Sequence, residues 1–164
     1  MTTPLEIMRG IGKQMLEGSP HSRELGMQQV SIERGEAVLK VPYRADLVGD
    51  PDTGVIAGGV VTALLDHVCG QAVIAGLDEM SPVATLDLRI DYMRAAEPGM
   101  DLFAHAHCYK RTRSIAFVRA SAYDHDIADP VATAQAAFMI IGGGGKRMGA
   151  NLRPPRRKPV GEAG

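Results

Sequence analysis

Apolar and polar residues follow two different periods along the chain, and each change of period marks a new element. Residues 4–17 carry apolar side chains every three or four positions, which predicts an amphipathic helix. Gly18-Ser19-Pro20 ends this helix, because glycine and proline are poorly suited to its continuation. Residues 36–43 largely alternate between apolar and polar positions, which predicts a strand with one face in water.

The longest apolar stretch covers residues 58–77 and predicts a helix, because it is too long for a typical strand. Apolar side chains occur on nearly every side of it, which is typical of a buried helix. Gly76 and the acidic pair Asp78-Glu79 mark its end. The preceding segment Gly49–Gly54 is predicted as a loop from its Gly, Pro and Asp content.

The second half of the chain predicts four strands, over residues 84–93, 101–109, 114–123 and 131–141. Short turns join them, so neighbouring strands are expected to be antiparallel. Alanine is unusually frequent on these strands, and small side chains allow a strongly curved sheet to approach the buried helix. These alanines are Ala104, Ala106, Ala116, Ala120, Ala122, Ala132, Ala134 and Ala136. The pattern therefore predicts an α+β fold with one long helix wrapped by a curved antiparallel sheet.

Length and composition favour one domain in a reducing compartment. The 164 residues are enough to bury one hydrophobic core. A run of about 18 apolar residues, as a membrane span needs, is absent from the sequence, and the N-terminus lacks the residue order of a secretory signal. Cys69 and Cys108 both lie in apolar segments and are expected to be free thiols. We therefore expect a soluble, cytoplasmic protein.

Charge is distributed unevenly, although the net charge is only −1. Residues 146–164 contain six basic residues and one acidic residue, together with several prolines and glycines. Such a tail could contact nucleic acid, a membrane surface or a phosphorylated small molecule, but its composition favours disorder. Gly142–Gly145 and the residues after it do not form a P-loop, since the Gly-Lys-Ser/Thr ending is absent. We divide the chain into an N-terminal helix (1–19), a main domain (20–141) and a basic tail (142–164).

Asp66 is the residue of the buried helix that most needs an explanation. An ionised carboxylate buried without partners is costly, so Asp66 indicates either a functional site or an ion pair with a strand arginine such as Arg89. Small residues at helical spacing leave room for a ligand beside Asp66. They are Gly59, Thr62, Cys69 and Gly70.

Gly58 and Gly59 stand where the first N–H groups of the buried helix have no intrahelical acceptor. Such amides suit a developing oxyanion, although a plain glycine-rich helix start would have the same sequence. Thr85 lies on the polar face of its strand, as an ordinary strand threonine does.

Four other reactive residues are predicted to have packing or solvent-facing roles. His67 follows Asp66, but adjacent helical residues point about 100° apart, so His67 is expected to face an interface or a strand. Cys69 has no cation at helical spacing, and burial raises a thiol pKa. His105 and His107 share a strand face but have no recognisable third ligand, so no metal site is predicted.

The segment Ala57–Asp66 resembles the Gly-Gly…Leu-x-Asp signature of hotdog acyl-CoA thioesterases of the phenylacetate-degradation (PaaI) type. Leu25-Gly26-Met27, Leu88–Arg94 and Arg113–Ala116 add to this resemblance, which covers about residues 20–141. It implies the hotdog fold, in which a curved antiparallel sheet wraps a central helix.

The resemblance also implies residue roles. Asp66 would be the nucleophile or general base, and the Gly58 amide would polarise the thioester carbonyl. Thr85 would orient a water or the carboxylate, as a Ser or Thr often does at this position in related enzymes. The acyl group would lie between the helices of two subunits, with Asp66 supplied by the partner, in a dimer or a dimer of dimers. Gly59 and Thr62 would contact the substrate. No metal or redox cofactor is implied, nor a nucleic acid or membrane partner.

The sequence departs from the family at two positions. Ala57 replaces the usual histidine, and Pro51 aligns with a common asparagine. A backbone amide survives such changes, so acyl-CoA hydrolysis is the main prediction and non-catalytic acyl-CoA binding the alternative. A related dehydratase activity would need a histidine in a different motif. Four basic residues at strand ends are candidates for contacting the CoA phosphates: Arg111, Arg113, Lys146 and Arg147.

Overall fold

The computed structural model of the protein describes residues 2–142. Three α-helices and eight strands occupy this part of the chain, with a short 3-10 turn at Ala45–Leu47. In order they are α1 (Pro4–Gly18), α2 (Pro20–Glu24), β1 (Gln28–Glu33), β2 (Glu36–Val41), β3 (Val48–Asp50), β4 (Val55–Ile56), α3 (Gly58–Gly76), β5 (Val83–Tyr92), β6 (Leu102–Arg111), β7 (Ile115–Tyr123) and β8 (Ala132–Ile140).

Six of these strands form one antiparallel sheet in the order β1-β2-β6-β7-β8-β5. Strands β3 and β4 form a separate hairpin immediately before α3. The helix α3 lies on the inner face of the large sheet, and its buried residues join the core. The predicted α+β hotdog arrangement is therefore confirmed.

The eight alanines that were predicted to let the sheet approach the buried helix line the inner face of the sheet. All eight of them are at most 6% exposed, and they alternate with outward-facing residues along β6, β7 and β8. A methyl side chain allows these strands to curve closely around α3. The buried side chains of α3 that fill this concave surface include Leu64, Leu65 and Val68, each fully buried.

The N-terminal helix begins with a capping box, in which the Thr3 hydroxyl accepts from the Glu6 N–H and the Glu6 carboxylate accepts from the Thr3 N–H. Met8 and Leu16 on its inner face are buried in the common core. This predicted helix over residues 4–17 is confirmed as α1, which packs on the main domain.

Two short elements were not expected from the sequence. Pro20, interpreted as the end of α1, also begins α2, because proline is well tolerated in the first turn of a helix. Strand β1 contains a register shift between Gln29 and Ser31 and buries only Ile32, so it lacks a regular alternation. In addition, the predicted loop Gly49–Gly54 overlaps β3 and the turn to β4.

Strand β5 lies at one edge of the sheet, and its apolar residues do not share one buried face. Its pairing with β8 shifts register between Thr85 and Asp87, which interrupts the alternation. Leu88 and Ile90 pack against the core, whereas Leu86 is 50% exposed.

By length and composition alone, α3 is apolar enough to cross a membrane. More than half of its most apolar window is buried inside the protein, as expected for the central helix of a folded domain.

Candidate active site

The N-terminus of α3 presents two backbone N–H groups without acceptors. Ala57 is the N-cap residue, and its side chain makes no hydrogen bond to the first turn. Gly58 and Gly59 follow, and neither N–H has a hydrogen-bond acceptor within residues 2–142. A Cβ placed on Gly59 would meet no other atom within 4 Å. Free N–H groups at the positive end of a helix suit a negatively charged oxygen.

The hairpin before α3 is packed closely against this helix start. The Ala57 N–H donates to the Leu47 carbonyl at 2.9 Å. A Cβ on Gly49 would lie 2.8 Å from the Ala57 Cα, so only glycine permits this approach without a shift of the backbone. Pro51 is exposed in the turn between β3 and β4. The start of α3 is therefore fixed from the N-terminal side by backbone packing.

Two hydroxyl groups converge on the carbonyl of Gly58. Tyr92, the last residue of β5, donates from Oη at 2.8 Å, and Thr62 donates from Oγ1 at 3.1 Å. The two hydroxyl oxygens are 2.9 Å apart. Thr62 thus already bonds within the chain. Tyr92 was not among the residues predicted for the site, because only the fold brings the end of β5 to the start of α3.

Asp66 lies half-buried two turns further along α3. Its Oδ1 accepts a hydrogen bond from the Thr85 hydroxyl of β5 at 2.8 Å. Asp66 and Thr85, each a candidate site residue from the sequence, are therefore in direct contact. A single neutral donor holds one carboxylate oxygen in place.

The alternative in which Asp66 pairs with Arg89 does not occur. Arg89 is an exposed residue that bonds to Asp91 at 3.1 Å. Within the described part of the chain, Asp66 takes part in no salt bridge. Its half-buried carboxylate is thus not explained by an ion pair.

The Gly58 and Asp66 positions are separated along one helix. Eight residues at 1.5 Å per residue place them about 12 Å apart. One thioester carbonyl cannot contact both groups of the same chain, because hydrogen bonding and attack both require about 3 Å. A site that uses both groups therefore needs two copies of α3.

His67 and Cys69 have no contact with a candidate substrate site. His67 Nε2 lies 2.7 Å from the hydroxyl of the buried Ser22, and its Nδ1 lies 3.0 Å from the Ala63 carbonyl. It thus bonds to α2, a partner not foreseen, and not to Asp66. Cys69 is fully buried in the core, as the apolar helix predicted, and so it does not add to the open space beside Asp66. Burial raises its thiol pKa to about 12, and the nearby Asp66 charge adds to this shift, so it is no nucleophile.

Arg111 lies at the other end of α3, about 27 Å from Gly58 by helical rise. Its guanidinium donates to the Gly76 carbonyl at 3.0 Å and to the Asp78 carboxylate at 2.6 Å. Arg34 donates to the same carboxylate, also at 2.6 Å. These hydrogen bonds, first that of Arg111, lower the pKa of Asp78. Arg111, a predicted phosphate contact, therefore caps the C-terminus of α3 in this structure.

Arg113 lines a cleft of about 400 Å³ together with Arg111 and Asp78. Lys146 and Arg147, the other two candidate phosphate contacts, lie outside the described residues. On β6, His105 Nε2 is 3.4 Å from a Glu36 carboxylate oxygen, and within residues 2–142 no cluster of three or more metal-ligating side chains occurs.

Comparison with known proteins relates this chain to a family. A family model described as Thioesterase superfamily matches residues 53–131, which include Gly58, Asp66 and Thr85. The solved structure of a Pseudomonas aeruginosa protein has a TM-score of 0.70 to this chain at 36% sequence identity. That match covers 77% of this chain and 93% of the P. aeruginosa chain.

Two further relatives have descriptive names. The phenylacetic acid degradation protein PaaI from Thermus thermophilus, solved as a point mutant, has a TM-score of 0.65 at 26% identity, over 74% of this chain and 99% of the PaaI chain. The medium/long-chain acyl-CoA thioesterase YigI from Escherichia coli is 24% identical over 151 residues, which are 84% of this chain and 96% of YigI.

Proposed function

The chain belongs to the thioesterase superfamily, and we propose that it hydrolyses acyl-CoA thioesters at a site assembled from two copies of the chain. The observation that supports this most strongly is the Asp66 carboxylate, held by Thr85 at 2.8 Å and without an ion-pair partner in the described residues. A carboxylate placed in this way is available to react.

The start of α3 would bind the thioester carbonyl. The N–H of Gly58 donates to the carbonyl oxygen and makes the carbonyl carbon more electrophilic. As the carbon becomes tetrahedral, negative charge develops on that oxygen and strengthens the hydrogen bond. Gly59 presents a second free amide and no side chain, so the substrate can approach the backbone closely.

Asp66 of the second copy would carry out the bond-forming step by one of two routes. In the first, a carboxylate oxygen attacks the carbonyl carbon, CoA leaves as the thiolate, and water then hydrolyses the mixed anhydride. In the second, Asp66 accepts a proton from a water whose oxygen attacks the same carbon. The C–S bond then breaks, and the CoA sulfur takes up the proton that Asp66 accepted. Thr85 donates to Oδ1 in both routes, which orients the carboxylate and leaves Oδ2 for the reaction.

The exposed surface formed by α3 and the edge of β5 is where we propose that a second copy of the chain binds. Gly58, Gly59 and Thr62 are exposed on α3, and Asp66 is half-buried beside them. The neighbouring strand β5 is a ten-residue edge strand with unpaired backbone groups. Folded proteins rarely leave so long an edge uncovered. We propose a homodimer through this surface, which can associate further into a dimer of dimers.

The acyl group is proposed to be aromatic or medium-chain, since PaaI is named for phenylacetic acid degradation and YigI for medium- and long-chain acyl-CoA. Arg113, Lys146 and Arg147 remain candidates for the CoA phosphates. Arg111 would share its guanidinium between Asp78 and a phosphate. Both cysteines are free, in keeping with the proposed cytoplasmic location, where thiols stay reduced.

Non-catalytic acyl-CoA binding is the second candidate function, and Ala57 is the observation that favours it. Its methyl group offers no hydrogen bond to a substrate at the start of α3. Such a protein would bind acyl-CoA tightly and release no thiol.

Free-thiol release from a panel of aromatic and medium-chain acyl-CoAs distinguishes the two functions. We expect turnover by the wild-type protein for at least one member of the panel. Tight binding of the panel without any thiol release would contradict the proposed hydrolysis and support the binding function.

A further inference from the structure

The helix start that would bind the carbonyl is intrinsically weak. Ala57 supplies no side-chain cap, and Gly58 and Gly59 occupy the first two helical positions. Each glycine disfavours helix by up to about 1 kcal/mol relative to alanine, because its backbone loses more freedom on ordering. Stabilisation of an oxyanion, however, depends on donors that are already fixed before charge develops. Something outside the first turn must therefore hold these amides.

Tyr92 meets this requirement from the neighbouring strand. Its hydroxyl donates to the Gly58 carbonyl at 2.8 Å and lies 2.9 Å from the Thr62 hydroxyl, which is 3.1 Å from the same carbonyl. A Cβ built on Gly58 would lie 3.5 Å from Tyr92 Oη, so the phenol packs directly over this glycine. The contact joins β5 to the first turn of α3.

The hydrogen bond from Tyr92 to the Gly58 carbonyl also affects the N–H of Gly59. The Gly58 carbonyl and the Gly59 N–H belong to the same planar peptide group. Hydroxyl donors on the carbonyl oxygen fix the orientation of that plane, and they polarise the group so that its N–H becomes a stronger donor. The Gly59 N–H has no acceptor within residues 2–142, and a Cβ built on this glycine would meet no other atom within 4 Å.

We propose that Tyr92 is a positioning residue for thioester hydrolysis, which holds and polarises the Gly58–Gly59 peptide so that its N–H binds the thioester carbonyl oxygen. This inference rests on the proposed function and adds to it a second oxyanion donor, Gly59, and the side chain that orients it. Thr62 acts in the same network: its one hydroxyl proton can go either to the Gly58 carbonyl, at 3.1 Å, or to Tyr92 Oη, at 2.9 Å.

The Tyr92→Phe variant tests this role, because it keeps the ring and removes only the hydroxyl. We expect kcat to fall by about five- to tenfold, the range that one hydrogen bond supports. KM should rise by no more than the affinity for a carbonyl-containing analogue falls, and the melting temperature should stay nearly unchanged. The second measurement compares two inert CoA analogues. A ketone with CH₂ in place of the thioester sulfur retains the carbonyl, whereas an S-alkyl thioether lacks it. Tyr92→Phe should weaken binding of the ketone and leave binding of the thioether unchanged.

Tyr43→Phe is the matched control. The Tyr43 hydroxyl also donates to a glycine carbonyl, that of Gly54, at 2.8 Å, but it lies outside the proposed machinery. Its loss should leave kcat and the ratio of ketone to thioether affinity unchanged.

Three outcomes would overturn the role of Tyr92 while leaving hydrolysis intact: an unchanged kcat in an active Tyr92→Phe enzyme, equal weakening of both analogues, or an equal fall of kcat in Tyr43→Phe. An inactive wild-type protein would overturn the proposed function first and this inference with it.

Discussion

The carboxylates of Asp124 and Asp66 differ in burial and in the partners that donate hydrogen bonds to them. The Asp124 side chain is fully buried and accepts two hydrogen bonds from Arg94 and one from the Glu97 N–H. Asp66 is half-buried and accepts from the neutral Thr85 hydroxyl. The first arrangement compensates a buried charge, as a structural ion pair must. The second leaves the charge available, which is expected of a reactive group.

Asp66→Asn should therefore abolish turnover without unfolding the protein. Asparagine has nearly the same shape but cannot attack a carbonyl or accept the proton of water, so we expect a rate loss of at least about 10²–10⁴. The melting temperature should hold or rise, because a partly buried charge is removed. Thiol release and thermal unfolding measured on one sample check both parts. A stable variant with near-native turnover would remove Asp66 from the mechanism.

Asp124→Asn should show the opposite behaviour, with a loss of about 2 kcal/mol in stability, because Arg94 loses its buried carboxylate partner and keeps only the exposed Asp129. The hydrogen bonds from Arg94 hold the pKa of Asp124 well below its usual range. The unfolded chain, with an aspartate pKa of about 3.9, thus binds this proton more readily than the folded chain. The difference between wild type and variant should be complete near pH 7 and shrink as the pH falls below about 4. Denaturant unfolding of both proteins at several pH values measures it, and a difference that grows towards low pH would contradict this assignment.

Thr85 provides a graded test of how Asp66 is oriented. Thr85→Val removes the hydroxyl at constant shape and should lower kcat by about tenfold, since one hydrogen bond to a charged group is lost. Thr85→Ser keeps the hydroxyl and should retain most of the activity. Steady-state kinetics of the pair measures the effect, and equal activities of the two variants would show that the hydrogen bond is not used.

At the scale of elements, the long regular segments could be predicted and the short contacts could not. The helix α3 and strands β7 and β8 follow from the apolar periods, because one face of each is buried along its whole length. In β6 the alternation holds over its first half and ends near a register shift between Cys108 and Lys110. The edge strands β1 and β5 contain register shifts and are covered on fewer sides, so their alternation is broken. The position of Tyr92 over Gly58 depends on where the end of β5 meets α3, which no local pattern encodes.

The fit of α3 against the sheet predicts a specific intolerance to larger side chains. Ala106 is fully buried on the inner face of β6, so Ala106→Val should cost about 1–3 kcal/mol by overpacking. Ala137→Val, on the outer face of β8, is the matched control and should change stability by less than about 0.5 kcal/mol. Chemical denaturation of both variants decides this. Equally small losses of stability in the two variants would mean that the packing between the inner face of the sheet and α3 can accommodate a larger side chain.

At the scale of the whole molecule, the open surface of α3 and the free edge of β5 lie on the same part of the protein, since Thr85 and Tyr92 of β5 bond to α3 side chains and backbone. A second copy placed there would cover the edge, the exposed Leu86 and the candidate site together. Light scattering on the purified protein should give the mass of a dimer or a tetramer. A monomer at micromolar concentration would contradict both the assembly and the shared site.

The shared site itself can be tested with a second inactivating change. Gly58 is the first residue of α3, where proline is tolerated, and Ala57 before it is already extended (φ −59°, ψ 136°), as a residue before proline must be. Gly58→Pro therefore removes the N–H donor with little disturbance of the helix, and should lower kcat by about 10²–10³. Gly58→Ala keeps the N–H and places its Cβ 3.5 Å from Tyr92 Oη, an ordinary contact, so it should stay active.

The most direct measurement combines Asp66→Asn and Gly58→Pro chains in one assembly. The two chains are co-expressed with different affinity tags, purified through both tags and assayed for thiol release. If Gly58 of one chain works with Asp66 of the other, each mixed dimer regains one intact site, and activity should return to about half of the wild-type value. Each variant alone should stay inactive. Mixed assemblies as inactive as the two parents would contradict a site shared between subunits.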